Sequence, residues 1–308
     1  MSEFDKTVGE KIDLLKRQLL KMMPEPAVLK FAPCGLTTAR LHNPTSPRDS
    51  IYNPLVLLIL QGKKHSIIGS EETEYGAGQY MVTNLDIPST CHVSEASPEK
   101  PYLALYVKLD SGIIADLLRE IPPRKPTGGV HRAMAVANAD APLLDAFLRL
   151  TELTEKSEEE QKIMAPLVSR EVHYRLLTGT VGGYMATINT VGSKDNQVLK
   201  AVEWIKNNFA EKINIENLAN QFGMTVSTFY RNFMKVTTLS PVQYQKQIRL
   251  NEAQRLMLAK SFDAQKAAYA VGYESATQFS AEYKRRFGLP PARDAKQKRI
   301  SSNGPNGV

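Results

Sequence analysis

Cysteine is almost missing from this chain: Cys34 and Cys91 are the only two in 308 residues. A disulfide framework of the secreted-domain kind is therefore excluded, and two reduced thiols are expected. Long apolar runs are missing as well. The longest, Leu55-Val56-Leu57-Leu58-Ile59-Leu60, falls far short of the roughly 20 residues that cross a bilayer, so no membrane partner is expected. Glu3, Asp5, Glu10 and Asp13 stand among the first lysines with no apolar stretch of a signal peptide, and the expected location is the cytoplasm. Histidine is scarce too. His42, His65 and His92 fall in the strand-rich region, and no two of them form a His-x-His or His-x3-His pair. The convergent ligands of a catalytic metal are lacking, so no metal, cofactor or catalytic residue is assigned.

What is present is an ordinary globular composition, 42% hydrophobic and 23% charged, in a length that suits two domains of about 100–200 residues each. Charge separates them. Residues 1–185 hold 21 Lys and Arg against 23 Asp and Glu, whereas 186–308 hold 18 against 9. A basic unit joined to a near-neutral one is the pattern of a polyanion-binding module attached to a second function. Gly179, Gly182, Gly183, Gly192 and Ser193 interrupt the helical pattern at the joint. The division expected is a domain over 1–185, a linker over 186–194, a basic domain over 195–295 and a disordered tail over 296–308.

Within the first domain, Val8, Ile12, Leu15, Leu19 and Met22 fall at helical spacing before Pro24. Short runs at 55–61, 64–68, 79–83 and 102–109 then follow between glycines, the spacing of an antiparallel sandwich or barrel. In the last run Leu103, Leu105, Val107 and Leu109 alternate with Tyr102, Ala104, Tyr106 and Lys108, which predicts one buried and one exposed face. Two amphipathic helices follow, around Leu143–Leu153 and Ile163–Leu177, and offer a face for a homodimer. A small closed barrel has room for a small molecule. His42, Tyr52, His65 and Tyr80 are the polar residues expected to orient a small-molecule effector there.

The basic domain contains a repeat. Ala219-Asn220-Gln221-Phe222-Gly223 and Ala268-Tyr269-Ala270-Val271-Gly272 share Ala-x3-Gly, and each leads to an aromatic pair, Phe229/Phe233 and Phe279/Tyr283. Two helix-turn-helix units are predicted. With the aromatics turned inward, the first unit presents Ser227, Tyr230, Arg231 and Met234, flanked by Thr228 and Lys235. The second presents Thr277, Gln278, Ala281 and Arg285, with Lys284 and Arg286 beside them. Such side chains reach base edges and phosphates in a major groove. Between the units Ser240-Pro241-Val242-Gln243 is a capping box with proline at the first helical position. The helix it starts is long enough to bridge neighbouring major grooves of double-stranded DNA. The fold class expected is α+β: a small N-terminal β-barrel with flanking helices, then an all-α domain with two helix-turn-helix motifs.

Several runs resemble the AraC/XylS family of bacterial transcription regulators. They are 224–233, Leu239-Ser240-Pro241-x2-Tyr244, Arg249-Leu250-x2-Ala253, Val271-Gly272-Tyr273-Glu274-Ser275 and Gln278-Phe279-Ser280-x2-Tyr283 with the Lys284–Gly288 run after it. Tyr52-Asn53-Pro54, Leu60-Gln61-Gly62-Lys63, the 75–80 run and the 97–102 run resemble the cupin-like N-terminal domain of one subgroup. The resemblance implies an effector-controlled, DNA-binding regulator with no catalytic step, an activator that would engage RNA polymerase. It also places recognition positions on Ser227, Tyr230 and Arg231 and on Thr277, Gln278, Ser280 and Ala281. The chain departs from the family in two places. Thr238 occupies the usual glycine position after the first recognition helix, and Pro290-Pro291-Ala292-Arg293-Asp294 lacks the usual tyrosine-arginine pair. Control by a protein partner or by modification of Cys34 or Cys91 is the alternative to a small molecule, and a cupin-type enzyme is disfavoured by the missing metal ligands.

Overall fold

A computed structural model of the chain describes residues 3–122 and 133–302. Helix α1 (Glu3–Met22) ends just before Pro24, which disfavours helix in the residue ahead of it. Ten strands follow among the described residues: β1 (Ala27–Phe31), β2 (Leu36–Leu41), β3 (Arg48–Tyr52), β4 (Leu55–Gln61), β5 (Lys63–Ile68), β6 (Glu71–Gly76), β7 (Gln79–Thr83), β8 (Ile87–Glu95), β9 (Tyr102–Lys108) and β10 (Ala135–Asn138). They form two antiparallel sheets, ordered β1-β2-β9-β4-β7-β10 and β3-β8-β5-β6. Helices α2 (Ser111–Glu120), α3 (Ala141–Leu153), α4 (Glu158–Thr178) and α5 (Gly182–Asn189) cover the six-stranded sheet.

That cover explains why β4 is an unbroken apolar run. Val56, Leu58 and Leu60 point to the helices, while Leu57 and Ile59 point between the sheets. The same holds for β9 and corrects the expectation of one exposed face: Tyr102, Leu103, Ala104 and Leu105 are all fully buried. A central strand with helices on one side and a second sheet on the other has no wet face to alternate with. Strands β1, β2, β3, β6, β8 and β10 lack a clean apolar alternation and were not expected individually. Strand β3, for instance, reads Arg-Asp-Ser-Ile-Tyr. Its place is set by antiparallel pairing with β8.

The remaining helices are α6 (Lys194–Asn207), α7 (Ile215–Gln221), α8 (Val226–Thr237), α9 (Pro241–Ala259), α10 (Ala264–Ala270), α11 (Ala276–Phe287) and α12 (Pro291–Ser302). Residues 186–194, read as a linker, hold the end of α5 and the first residue of α6. Residues 296–302, read as tail, are the last part of α12, and 303–308 lie outside the described residues. Buried Asp294 explains the helical order there. Its carboxylate accepts from the Tyr283 hydroxyl at 2.7 Å and the Gln254 amide at 2.9 Å, tying α12 to α11 and α9.

One buried histidine staples the helical cover. In α4, His173 donates from Nδ1 to the Ser169 carbonyl at 2.7 Å, and its Nε2 accepts the Asp110 N–H at 2.9 Å ahead of α2. Both bonds suit the neutral ring. Burial pulls its pKa below the ordinary value, outweighing the Ser169 carbonyl and Asp110 carboxylate. The unfolded chain therefore takes up a proton first as pH falls through about 6.5. The stability from neutral His173 is complete above that pH and is lost on acidification towards the lower folded pKa. Thermal unfolding between pH 7.5 and 5.5 should show a falling midpoint in the wild type. His173→Leu should have a lower midpoint at pH 7.5 and a visibly flatter pH dependence.

Candidate functional site

Each helix-turn-helix is built around an aromatic ladder. Thr225 caps α8 by accepting the Thr228 N–H at 3.3 Å. Phe229 and Phe233 then stack at 5.6 Å, and Phe233 meets Tyr244 of α9 edge-on at 5.7 Å. Ser275 caps α11 in the same way, and Tyr273, Phe279, Tyr283 and Phe287 form the second ladder. With the aromatics inside, Ser227, Arg231, Met234 and Lys235 are exposed, and Thr228 and Tyr230 are half-exposed. On α11 Thr277, Gln278, Ala281, Lys284 and Arg285 are exposed and Ser280 is half-exposed. With one exception, the expected DNA-facing side chains thus lie on the outer sides of α8 and α11. Arg286 does not join them, because its guanidinium pairs with Asp49 of β3 at 2.7 Å.

The two units are locked to one another through Arg249 of α9. Its guanidinium donates to the carbonyls of Phe209 (2.6 Å), Ala210 (3.1 Å) and Glu211 (2.9 Å) in the α6–α7 loop. It also donates to the carbonyl of Gly272 (2.9 Å) in the second turn. Gly272 has φ +85°, and a Cβ there would lie 2.0 Å from the Ala210 carbonyl oxygen, so the close approach requires glycine. The capping box at Ser240 is present as expected, with Ser240 accepting from Gln243 N–H and the Gln243 side chain from Ser240 N–H. Thr238 does take the left-handed conformation of the usual glycine, at φ 62°. A β-branched residue is strained there. Its hydroxyl sits 2.6 Å from the Thr237 carbonyl and 3.1 Å from the Ile68 carbonyl of β5.

Between the sheets, Lys64 is only 7% exposed. Its ammonium lies over the rings of Tyr52 (5.2 Å) and Tyr106 (5.5 Å). Burial pulls its pKa down, but the oxygens around it, Tyr106 foremost, outweigh that and hold it up. Tyr52 also bonds Ser66 at 2.9 Å, and Ser66 bonds Tyr75 at 3.1 Å. Beyond Tyr106 the strand ends open into a cavity of about 1120 Å³. Its walls include Val28, Leu55, Leu85 and Tyr106 from the sheets, Ile114 of α2, and Leu199 and Val202 of α6. Lys30 and Lys108 stand at its rim, and neither makes an ion pair with a described residue.

The four residues expected around an effector are not brought together. Tyr52 belongs to the cluster between the sheets. Tyr80 faces the other way, into the core under the helices. His65 is on the far face of the four-stranded sheet, its ring 5.1 Å from His92 and its Nε2 3.5 Å from Glu72. His42 follows β2 outside the cavity. The cavity residues Asn84, Asp86 and Lys206 were missed because they come from a turn and a helix with no shared pattern in the sequence.

Family comparison matches residues 34–184 to the AraC-type transcriptional regulator N-terminus and 218–297 to a helix-turn-helix domain. The transcriptional activator RhaS of Escherichia coli is 27% identical over 146 residues, 47% of this chain and 51% of RhaS. RhaS of Pectobacterium atrosepticum is 29% identical over 100 residues, 32% of this chain and 36% of the relative. The chain thus spans about half or less of the length of these relatives. Among solved structures, apo ToxT of Vibrio cholerae aligns with a TM-score of 0.55 at 9% identity, covering 85% of this chain and 96% of ToxT. ToxT with a bound unsaturated fatty acid aligns at 0.50 and 12% identity, covering 89% and 97%. At such identities the likeness is one of fold. No helix among the described residues is long and apolar enough to cross a membrane.

The Arg249 clamp has a measurable consequence. Arg249→Ala removes a charged donor from four carbonyls, at about 2–4 kcal/mol of stability given roughly 1.5–3 kcal/mol for a hydrogen bond to a charged group. Chemical denaturation should show that loss, and affinity for a duplex carrying two recognition boxes should fall at least tenfold. An unchanged unfolding midpoint would contradict the clamp.

Proposed function

The chain belongs to the AraC/XylS family of bacterial transcription regulators, and from this we propose that it activates transcription from two adjacent major grooves under control of a small molecule in the barrel-mouth cavity. The observation that carries the DNA reading is the pair of helices α8 and α11, each with its aromatic side buried and its polar side free. They are joined by the 19-residue α9, roughly 28 Å long, against roughly 34 Å between successive grooves on one face of B-DNA. In this reading Ser227, Tyr230 and Arg231 read bases from α8, with Thr228 and Lys235 at its flank. Thr277, Gln278, Ser280 and Ala281 face bases from α11, and Lys284 and Arg285 hold phosphates. RNA polymerase is the partner that an activator implies.

The effector class we propose is an amphipathic carboxylate. The apolar part of the walls and two rim lysines with no ion-pair partner among the described residues, Lys30 and Lys108, support it, and ToxT offers a precedent within the fold. Thiol control at Cys34 is disfavoured, since burial pushes that thiol up and away from the reactive thiolate. A homodimer is supported at one of the two helices expected. Helix α3 is consumed by the core, but α4 exposes Ile163 (62%), Leu167 (58%) and Tyr174 along one side.

Binding to a library of single-base operator variants at two salt concentrations tests the DNA roles. Arg231→Ala should lose about 1–3 kcal/mol, concentrated at one base position. Lys284→Ala should weaken all sequences alike and lower the salt slope by about one. A uniform loss for Arg231→Ala would overturn its base-reading role. For the effector, an unsaturated fatty acid should raise the unfolding midpoint of the wild type and leave Lys30→Met/Lys108→Met unmoved. No shift in the wild type would remove that class.

A further inference from the structure

We propose that the turn between β7 and β8, Asn84-Leu85-Asp86, is the element through which the DNA-binding helices register the occupant of the cavity. Asn84 would supply the hydrogen-bonding pair to the bound molecule, and Asp86 would carry its displacement to α6 and α9. The inference rests on the effector reading above and extends it to the coupling residues and to the polar group that the ligand bears.

All three residues line the cavity. Around them, nearly every polar group is satisfied. The Thr83 hydroxyl donates to the Leu85 carbonyl at 3.1 Å, and the Asn53 amide donates to the Asp86 carboxylate. Lys206 of α6 reaches the other carboxylate oxygen at 2.7 Å, and the Tyr244 hydroxyl of α9 donates to the Asp86 carbonyl at 2.6 Å. Asn84 is the exception. It is 5% exposed, and neither its Nδ2 nor its Oδ1 makes a hydrogen bond with a described residue. The Tyr184 hydroxyl stands close to both the side chain and the backbone of Asn84 but donates to the Ala133 carbonyl at 3.3 Å, and its approach to the amide falls outside hydrogen-bond geometry. An orphaned buried amide is costly and calls for a partner. A molecule in the cavity with a hydroxyl or carboxamide, able both to donate and to accept, answers both atoms at once. The ligand class becomes an apolar carboxylate that carries such a second polar group.

From Asp86 two routes lead to the DNA-reading surface. Helix α6, held by Lys206, lines the cavity with Leu199, Val202 and Glu203 and packs against α8. Tyr244, held at the Asp86 carbonyl, packs edge-on against Phe233 inside α8. A shift of the turn therefore moves the backing of the first recognition helix. Trp204, the only tryptophan, lies in α6 two residues before Lys206 and reports on that helix by its emission.

The test uses the full chain, with decanoate and 10-hydroxydecanoate as probes and a duplex that the wild type selects from random sequence. Without any probe, Asn84→Leu should unfold about 2–4 °C higher than wild type, the shift expected when an orphaned amide is removed from a chain of this size. In the wild type 10-hydroxydecanoate should bind about tenfold tighter than decanoate, shift Trp204 emission and change DNA affinity. Asn84→Leu should bind the two acids equally. Asp86→Asn should still bind the hydroxy acid by thermal shift, while Trp204 emission and DNA affinity no longer respond. A lower midpoint for Asn84→Leu would make the amide a structural partner and overturn its role. An intact Trp204 and DNA response in Asp86→Asn would overturn the coupling. If neither acid binds the wild type, the carboxylate class falls, and the turn is still decided without probes: Asn84→Leu must be stabilised and Asp86→Asn must shift Trp204 emission, or the proposal fails.

Discussion

One continuous apolar core joins the space between the sheets to the interior of the first helix-turn-helix. Leu57, Ile59, Tyr102 and Ala104 of the barrel belong to the same buried cluster as Val198, Val202, Phe229, Phe233 and Tyr244. Interiors packed to crystal-like density transmit displacements rather than absorb them. A shared core therefore couples the cavity to α8 mechanically. The second helix-turn-helix has its own core, around Leu250, Phe279 and Tyr283, and is held to the first by α9, which contributes to both cores, and by the Arg249 clamp.

Polar contacts complete the docking at a few points. Arg286 of α11 pairs with Asp49 of β3, and the Asp49 carboxylate also accepts from Thr90 at 2.6 Å. Thr238 holds a strained conformation against the barrel, and the fit is close: a Cβ at Gly69, where φ is +61°, would lie 2.5 Å from the Thr238 hydroxyl. The barrel thus positions both recognition units, the first through core and turn, the second through an ion pair. The polar sides of both helices stay exposed in this arrangement, so docking does not mask them.

Lys64 gives the barrel its electrostatic character. A buried ammonium with no carboxylate partner among the described residues is tolerated because tyrosine rings and hydroxyls replace its water. Burial also keeps the phenols of Tyr52, Tyr75 and Tyr102 protonated, since it raises each of them. The barrel interior is therefore a net cationic site, and it adjoins the cavity through Tyr106.

Residues close in sequence were legible because their physics is local. The Ser240 capping box, the Pro24 stop, the inward aromatics at i, i+4 and the exposed stripes of α8 and α11 depend only on helix geometry and nearest neighbours. Strands β4, β7 and β9 were visible because most of their side chains are apolar, and β5 because its run lies between Gly62 and Gly69, whereas the polar β3 owes its conformation to pairing with β8, about 40 positions later. Tertiary structure alone decided which polar groups meet. Asn84, Asp86, Lys206 and Tyr244 converge from a turn and two helices, and Arg286 was turned from a phosphate contact into an interdomain ion pair by an aspartate 237 positions earlier. Such contacts leave no periodicity in the sequence, because they are fixed by how the barrel and the helical domain pack.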